Sequence, residues 1–212
     1  MNINKFLIIV FFVSIFSCST FAQLLKVGVG GGVTQILGPE SFTNDISATE
    51  NESGAGFSTE WNIGLVGKLD LPLIPITPRG FIYYHSLSGK REFPEIVANP
   101  TIETSQTILE IGLGAQYNFV SIPAGVDPYI TLDLYSATFG EYSRKVNEEE
   151  SRSDGITRFG GSVGIGTEVS IVPVVNLDLC LSYKMFNLVG KEDGEGTVSA
   201  VTLDAFIMIN FL

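Results

Sequence analysis

The only histidine of the chain, His85, lies next to the hydroxyl group of Ser86 and close to that of Ser88. A histidine near a serine could serve as the general base of a nucleophilic site. Successive residues of a β-strand point to opposite faces, so His85 and Ser86 would not meet on a strand. We therefore predict no catalytic residues and interpret His85 as an interfacial or cross-strand histidine.

A glycine-rich segment contains Gly28, Gly30, Gly31 and Gly32 and invites comparison with a phosphate-binding loop. Such loops lead into a helix and end in Lys-Ser or Lys-Thr, and neither feature follows here. A first strand with close backbone packing explains these glycines better. No cofactor is predicted.

Residues that could ligate a metal are sparse. One histidine and few cysteines do not make a zinc-type set, and the segment 193–196 lacks the spacing of a calcium loop. Acidic residues concentrate in segments that we predict to be loops: Glu148, Glu149, Glu150, Asp154, Glu192, Asp193 and Glu195. Solvated loop charge explains them, and an open alternative is that they share divalent cations with anionic lipopolysaccharide. No metal site is predicted, and the net charge of −11 argues against a nucleic-acid partner.

The C-terminal segment from Thr197 to Leu212 shows the clearest β-alternation, and the rest of the chain is organised around it. One set of alternate residues is apolar: Val201, Leu203, Ala205, Ile207, Ile209 and Phe211. The other set is mixed: Thr202, Asp204, Phe206, Met208 and Asn210. A strand with two such faces suits lipid on one side and a packed polar interior on the other. In a closed barrel, this last strand would pair with the first one.

The same alternation predicts an all-β chain, a closed antiparallel up-and-down transmembrane barrel of about eight strands. The approximate strand spans are 24–36, 57–71, 79–90, 104–119, 128–142, 157–172, 176–189 and 197–212. The connections after strands two, four and six are short and proline-rich, whereas the others are longer and acidic. This asymmetry is typical of periplasmic turns and extracellular loops. In the fifth strand Phe139 and Tyr142 have opposite parity, which predicts a bulge or a frayed end.

Alternation alone does not say which face is outside, because a soluble lipocalin-like barrel turns its apolar face inward. In the sixth predicted strand the apolar residues alternate with Gly160, Ser162, Gly164 and Glu168. Small side chains with a few paired charges suit the inside of a narrow barrel better than a water-facing surface. Aromatic residues near the strand ends then predict two interfacial girdles. These are Tyr117, Phe119, Tyr129 and Phe211 toward the turns, and Phe57, Trp61, Phe139 and Phe159 toward the loops.

Charged residues on the inward parity form the candidate functional cluster. They are Lys68, Asp70, Glu110, Asp133, Glu168, Asp178, Lys184 and Asp204. Folding the last hairpin about Asp193 and Gly194 places Lys184 opposite Asp204, which predicts a cross-strand ion pair. An eight-stranded barrel is just wide enough to be filled by its own side chains, which favours a plugged interior. A pore through the interior is the open alternative.

Residues 1–22 combine a positive charge, a short apolar run and small residues, which predicts a secretory signal peptide cleaved after Ala22. The alternative is a lipoprotein cleavage box with lipid attached to Cys18. Cleavage after Ala22 leaves Cys180 as the only cysteine, so no internal disulfide is expected. No segment is long and apolar enough for a membrane helix. We therefore predict a signal peptide at 1–22 and an outer-membrane barrel domain at 23–212.

These features resemble the small eight-stranded outer-membrane β-barrel families, the group that includes the OmpA transmembrane domain, OmpX and OmpW. The resemblance covers nearly all of the predicted mature chain and rests on strand rhythm, loop asymmetry and the closing strand. It implies that Phe211 and Leu212 belong to a C-terminal signal read by the barrel-insertion machinery. The usual terminal aromatic residue stands one place early here, since Leu212 follows Phe211.

The expected protein is a non-enzymatic, porin-like component of the cell outer membrane, in contact with outer-membrane lipid and lipopolysaccharide. Its role is structural and surface-interacting, or that of a narrow conduit for small solutes. The alternative is an exported soluble lipocalin-like barrel that binds an apolar ligand.

Overall fold

The computed structural model describes residues 25–47, 54–71, 74–94, 101–119, 125–147 and 149–211. The predicted signal peptide at 1–22, with Cys18, lies outside the described residues, and so does Leu212. Among the described residues, no helix is long and apolar enough to cross a membrane.

Long β-strands make up most of the described chain. They are β1 (Leu25–Gly38), β2 (Thr59–Leu69), β3 (Ile76–Glu92), β4 (Thr101–Asn118), β5 (Val126–Phe139), β6 (Tyr142–Val146), β7 (Glu149–Ser153), β8 (Ile156–Val172), β9 (Val175–Val189) and β10 (Ser199–Phe211). One short helix, α1 (Glu40–Thr43), follows β1. Strand bounds of this kind follow from period-2 alternation interrupted by Pro, Gly and acidic segments.

Eight of the strands close into a ring in the order β1–β2–β3–β4–β5–β8–β9–β10, with every neighbouring pair antiparallel. β10 closes the ring by pairing with β1, in a register that opposes Leu25 to Phe211 and Val33 to Leu203. The sequence prediction of a closed up-and-down barrel with a closing C-terminal strand is therefore confirmed. Closure satisfies the backbone donors and acceptors that an open edge would leave unpaired.

The loop between β5 and β8 differs from its prediction. The segment 145–155 was expected to be an acidic loop, but it contributes to the hairpin of β6 and β7, which adds to the far end of β4 beyond the barrel wall. The irregularity expected near Phe139 is a break between strands, because β5 ends at Phe139 and β6 begins at Tyr142.

The apolar face of the strands lies outside. Leu113 and Leu134 are 74% and 70% exposed, and the alternating residues of the same strands are buried. This is opposite to the arrangement that the lipocalin-like alternative requires. Both assigned faces therefore agree with the sequence prediction.

The predicted aromatic girdles are partly wrong. Trp61, Phe159, Tyr117, Phe119 and Phe211 are exposed on the outer face, as expected. Phe57, Tyr129 and Phe139, in contrast, are buried in the interior. Parity near a strand end is easily misassigned where the strand bends into a loop, because a shift of one residue exchanges the two faces.

Glycines on the inner face of β1 make room for large side chains of the closing strand. A Cβ added at Gly30 would collide with the backbone at Ala205 and would lie 2.8 Å from Cγ of Phe206. At Gly67, on β2, an added Cβ would meet nothing within 4 Å. The predicted close backbone packing of the first strand is thus a packing of glycine against bulky neighbours.

We expect Gly30→Ala to lower the free energy of unfolding by about 1–3 kcal/mol, because the extra methyl group must displace backbone or Phe206. Gly67→Ala, the matched control, should change it by less than about 0.5 kcal/mol. Urea unfolding in lipid vesicles measures both values. Equal effects would mean that β1 does not contact β10 as described.

Candidate functional site in the barrel interior

The charged residues predicted to face inward lie in the interior. Side chains buried there include those of Lys68, Glu110, Asp133, Glu168, Asp178, Lys184 and Asp204. Each comes from the inward parity of its strand, so neighbouring positions supply the lipid-facing apolar residues. They separate into two clusters and one additional ion pair.

The first cluster, which we call the turn-end cluster, lies near the short connections and consists of Lys26, Lys68, Asp70, Glu168 and Asp178. Nζ of Lys68 is 2.6 Å from Glu168 and 2.7 Å from Asp178. Lys26 bridges Asp70 and Glu168 at 2.8 Å each. Two ammonium groups thus share three carboxylates, and the Tyr129 hydroxyl also donates to Asp178. These contacts join β1 and β2 to β8 and β9 across the interior.

The additional ion pair joins Arg79 of β3 to Asp133 of β5, with Nε 3.4 Å from Oδ1. Ser162 of β8 donates a hydrogen bond of 3.1 Å to the other oxygen of Asp133. Gly114 on the intervening strand β4 leaves the space that this carboxylate occupies, since an added Cβ would collide with Asp133.

The second cluster, the histidine cluster, consists of Thr34, Asn62, His85, Glu110, Lys184 and Asp204. Lys184 donates to both oxygens of Glu110, at 3.0 and 2.9 Å. Nε2 of His85 is 2.6 Å from the same carboxylate, and Nδ1 of His85 is 2.9 Å from the Thr34 hydroxyl. Asn62 then connects Thr34 to Asp204, with a 2.8 Å bond to the carboxylate.

The predicted ion pair between Lys184 and Asp204 is wrong. Lys184 lies opposite Ala200 on β10, and Asp204 lies opposite Cys180 on β9. The assumed turn at Asp193 and Gly194 misplaced the register by an even number of residues, which keeps the inward parity but changes the partner. Lys184 therefore pairs across the barrel with Glu110 of β4.

We expect a double-mutant cycle of Lys184→Met and Glu110→Met to show a coupling energy above about 1 kcal/mol, because each charge is buried against the other. The same measurement on Lys184→Met with Asp204→Asn should give a smaller coupling energy, since these side chains do not touch and are linked only through the other members of the histidine cluster. Urea unfolding in vesicles provides the energies. A larger coupling with Asp204 than with Glu110 would restore the predicted pair.

The order hydroxyl, imidazole, carboxylate in Thr34, His85 and Glu110 is also that of a nucleophilic triad. All three side chains are completely buried in the described structure. Glu110 is further occupied by Lys184. The three side chains are thus packed inside the barrel, and the His85 imidazole lies between the Thr34 hydroxyl and the Glu110 carboxylate.

The long-loop end of the interior is filled by aromatic rings, which we call the aromatic plug: Phe42, Phe57, Phe139 and Phe186. The ring centroids of Phe139 and Phe186 are 6.5 Å apart, and those of Phe42 and Phe57 are 5.7 Å apart. His85 meets Phe186 edge-on at 5.4 Å. The plug thus lies directly against the histidine cluster, and the interior side chains form a continuous stack.

Lys26, Thr34, Asn62, Arg79 and His85 belong to this interior and were not among the predicted site residues. The signal for two of them was present, since Arg79 and His85 share the parity of buried Phe81 and Tyr83 on β3. No group of three or more His, Cys, Asp or Glu side chains in the described residues is arranged to hold a metal ion.

Comparison with known proteins identifies the fold only. No protein-family model matches the chain, and no curated protein matches it. Among solved structures it is similar to the Neisserial surface protein A, with a TM-score of 0.56, 16% identity, and coverage of 88% of this chain and 97% of that chain. A major outer membrane protein from Thermus thermophilus is also similar, with a TM-score of 0.55, 10% identity, and coverage of 88% and 99%. The chain has the closed eight-stranded fold of these proteins.

Proposed function

We propose that this chain is an integral outer-membrane barrel whose interior does not conduct solutes and whose role is structural and surface-interacting. The apolar outer face supports the membrane location, since such a band suits lipid and would be poorly soluble in water. The similar Thermus protein is described as an outer membrane protein. Membrane fractionation should recover the chain from the detergent-extracted outer membrane with heat-modifiable gel mobility, and recovery in the soluble periplasmic fraction would refute this location.

The observation that carries the non-conducting role is the filled interior. The turn-end cluster, the histidine cluster and the aromatic plug follow one another along the barrel, and their side chains are buried against each other. A hydrated channel would leave such charged groups exposed to water. Paired charges and packed rings instead complete a solid interior, which an eight-stranded barrel is narrow enough to allow.

Planar-bilayer recording tests this role. The purified chain should produce no current steps above those of bare lipid. Discrete steps that change with Phe186→Ala, inside the plug, but not with Phe159→Ala, on the outer face, would establish a conduit instead. The two positions are matched in residue type and differ in face, since Phe186 is fully buried and Phe159 is exposed.

The proposal also includes the partners that insert and surround the barrel. β10 ends at Phe211, which is exposed on the lipid face at the turn end and belongs to the strand that closes the ring. We assign Phe211 and Leu212 to the signal read by the insertion machinery. Phe211→Ser should slow assembly into outer-membrane vesicles, whereas Phe159→Ser at the other girdle should not.

A further inference from the structure

A cavity of about 330 Å³ opens at the long-loop end of the barrel. It lies where the segments after β1, before β8 and before β10 approach one another. Its apolar lining includes Phe42, Phe139 and Val198, so the outer surface of the aromatic plug forms part of its wall. Cavities of roughly 300 Å³ or more are large enough for a small organic ligand.

One carboxylate of the cavity lining has no partner among the described residues. The Asp154 carboxylate, at the rim, forms no ion pair or hydrogen bond with the described residues. Asp154 is exposed, so a ligand in the cavity can reach its carboxylate.

The other carboxylate of the lining, Glu195, is already engaged. Arg158 donates to it at 2.8 Å, and Asn187 donates at 2.8 Å. These hydrogen bonds, led by that from Arg158, lower the pKa of Glu195 to about 2. Asp154 therefore supplies the uncompensated negative charge of the cavity lining.

We propose that this cavity, which we call the mouth cavity, binds a small organic ammonium ion that carries an apolar or aromatic group. The ammonium pairs with the Asp154 carboxylate, and the apolar group packs on Phe42, Phe139 and Val198. Aromatic rings also attract a cation placed over their faces.

The lining distinguishes this ligand class from its competitors. A divalent metal ion seeks six or more oxygen ligands, whereas Asp154 is the one carboxylate of the lining that is not already engaged by described residues. An anion would meet Asp154 and Glu195, and a neutral apolar compound would leave the charge of Asp154 without a counter-ion. This inference rests on the proposed surface-interacting role in one respect. A ligand reaches the mouth cavity from the external medium because the long-loop end of the barrel faces outward.

The test uses 2-phenylethylammonium as the probe and the full mature chain in lipid nanodiscs, with empty nanodiscs as the reference for partitioning into lipid. Titration calorimetry should show saturable binding by the protein. Binding of the neutral analogue 2-phenylethanol should be weaker by about fivefold or more, as expected for the loss of an exposed charge contact. Equal affinities for the two compounds, or heat indistinguishable from that of empty nanodiscs, would overturn the proposal.

Two variants localise the site. Asp154→Asn should weaken probe binding about five- to tenfold, whereas Asp193→Asn, which removes the same charge from a nearby loop outside the cavity lining, should change it less than twofold. Ser153→Trp, at the cavity rim, retains every charge and should abolish binding by filling the space. Equal losses with Asp154→Asn and Asp193→Asn, or full binding by Ser153→Trp, would refute the mouth cavity as the site. Binding is measured on purified protein. A failure to bind the probe is therefore a different result from current steps in the bilayer recording or from recovery of the chain in the periplasmic fraction.

Discussion

Lys68→Met is expected to lower the free energy of unfolding by about 3–5 kcal/mol, the cost of leaving buried charges without their partner. Lys68 is 0% exposed, and its Nζ lies within ion-pair distance of Glu168 and Asp178. Methionine keeps much of the side-chain volume but removes the ammonium group. Lys26 still compensates Glu168, and Asp178 retains only its hydrogen bond from Tyr129 in the described network.

Lys191→Met is the matched control for this measurement. Lys191 is exposed in the loop before β10, where it donates to the Thr197 hydroxyl at 2.9 Å. Its loss should change the free energy of unfolding by less than about 0.5 kcal/mol. Urea titration of the refolded chain in vesicles, followed by heat-modifiable gel mobility, measures both variants. If Lys68→Met costs no more than Lys191→Met, water reaches the turn-end cluster and the non-conducting role fails with it.

The second large effect is expected from Leu113→Arg on the outer face. Leu113 is 74% exposed and stands midway along the barrel portion of β4, opposite Leu134 of β5. If this face contacts the bilayer core, an arginine near its midplane costs about 2–4 kcal/mol. The free energy of unfolding from vesicles should fall by that amount.

Ser88→Arg is the comparison variant, because Ser88 lies on the same outward parity of the neighbouring strand but beyond the barrel, where β3 and β4 extend past the wall. The cost of arginine falls to about 0–1 kcal/mol toward the interface.

Gln116→Arg tests the other face, since Gln116 is 1% exposed and hydrogen-bonds to Asn118. If arginine at position 113 is tolerated as well as at position 88, the apolar face does not lie in lipid.

Period-2 alternation was sufficient to predict the eight barrel strands, the closing role of β10 and, away from the strand ends, the two faces of each strand, but it did not predict the hairpin of β6 and β7. The faces follow from sequence because successive side chains must point to opposite sides of a strand, and small residues such as Gly164 contrast with apolar neighbours such as Ile165. The loop asymmetry was also readable, since proline-rich turns and acidic loops differ in composition. Because alternate side chains of a strand share one face, Lys68, Glu110 and Lys184 are buried, as their inward parity predicts.

The tertiary structure alone determined which interior charges meet. Parity names the face of Lys184, but its partner depends on the register of the last hairpin, which a shift in the position of the turn changes without changing the face. The partner is Glu110 on β4, a strand that does not neighbour β9 in the ring. Contacts of this kind span the barrel, so they depend on the closure and diameter of all eight strands rather than on any local pattern.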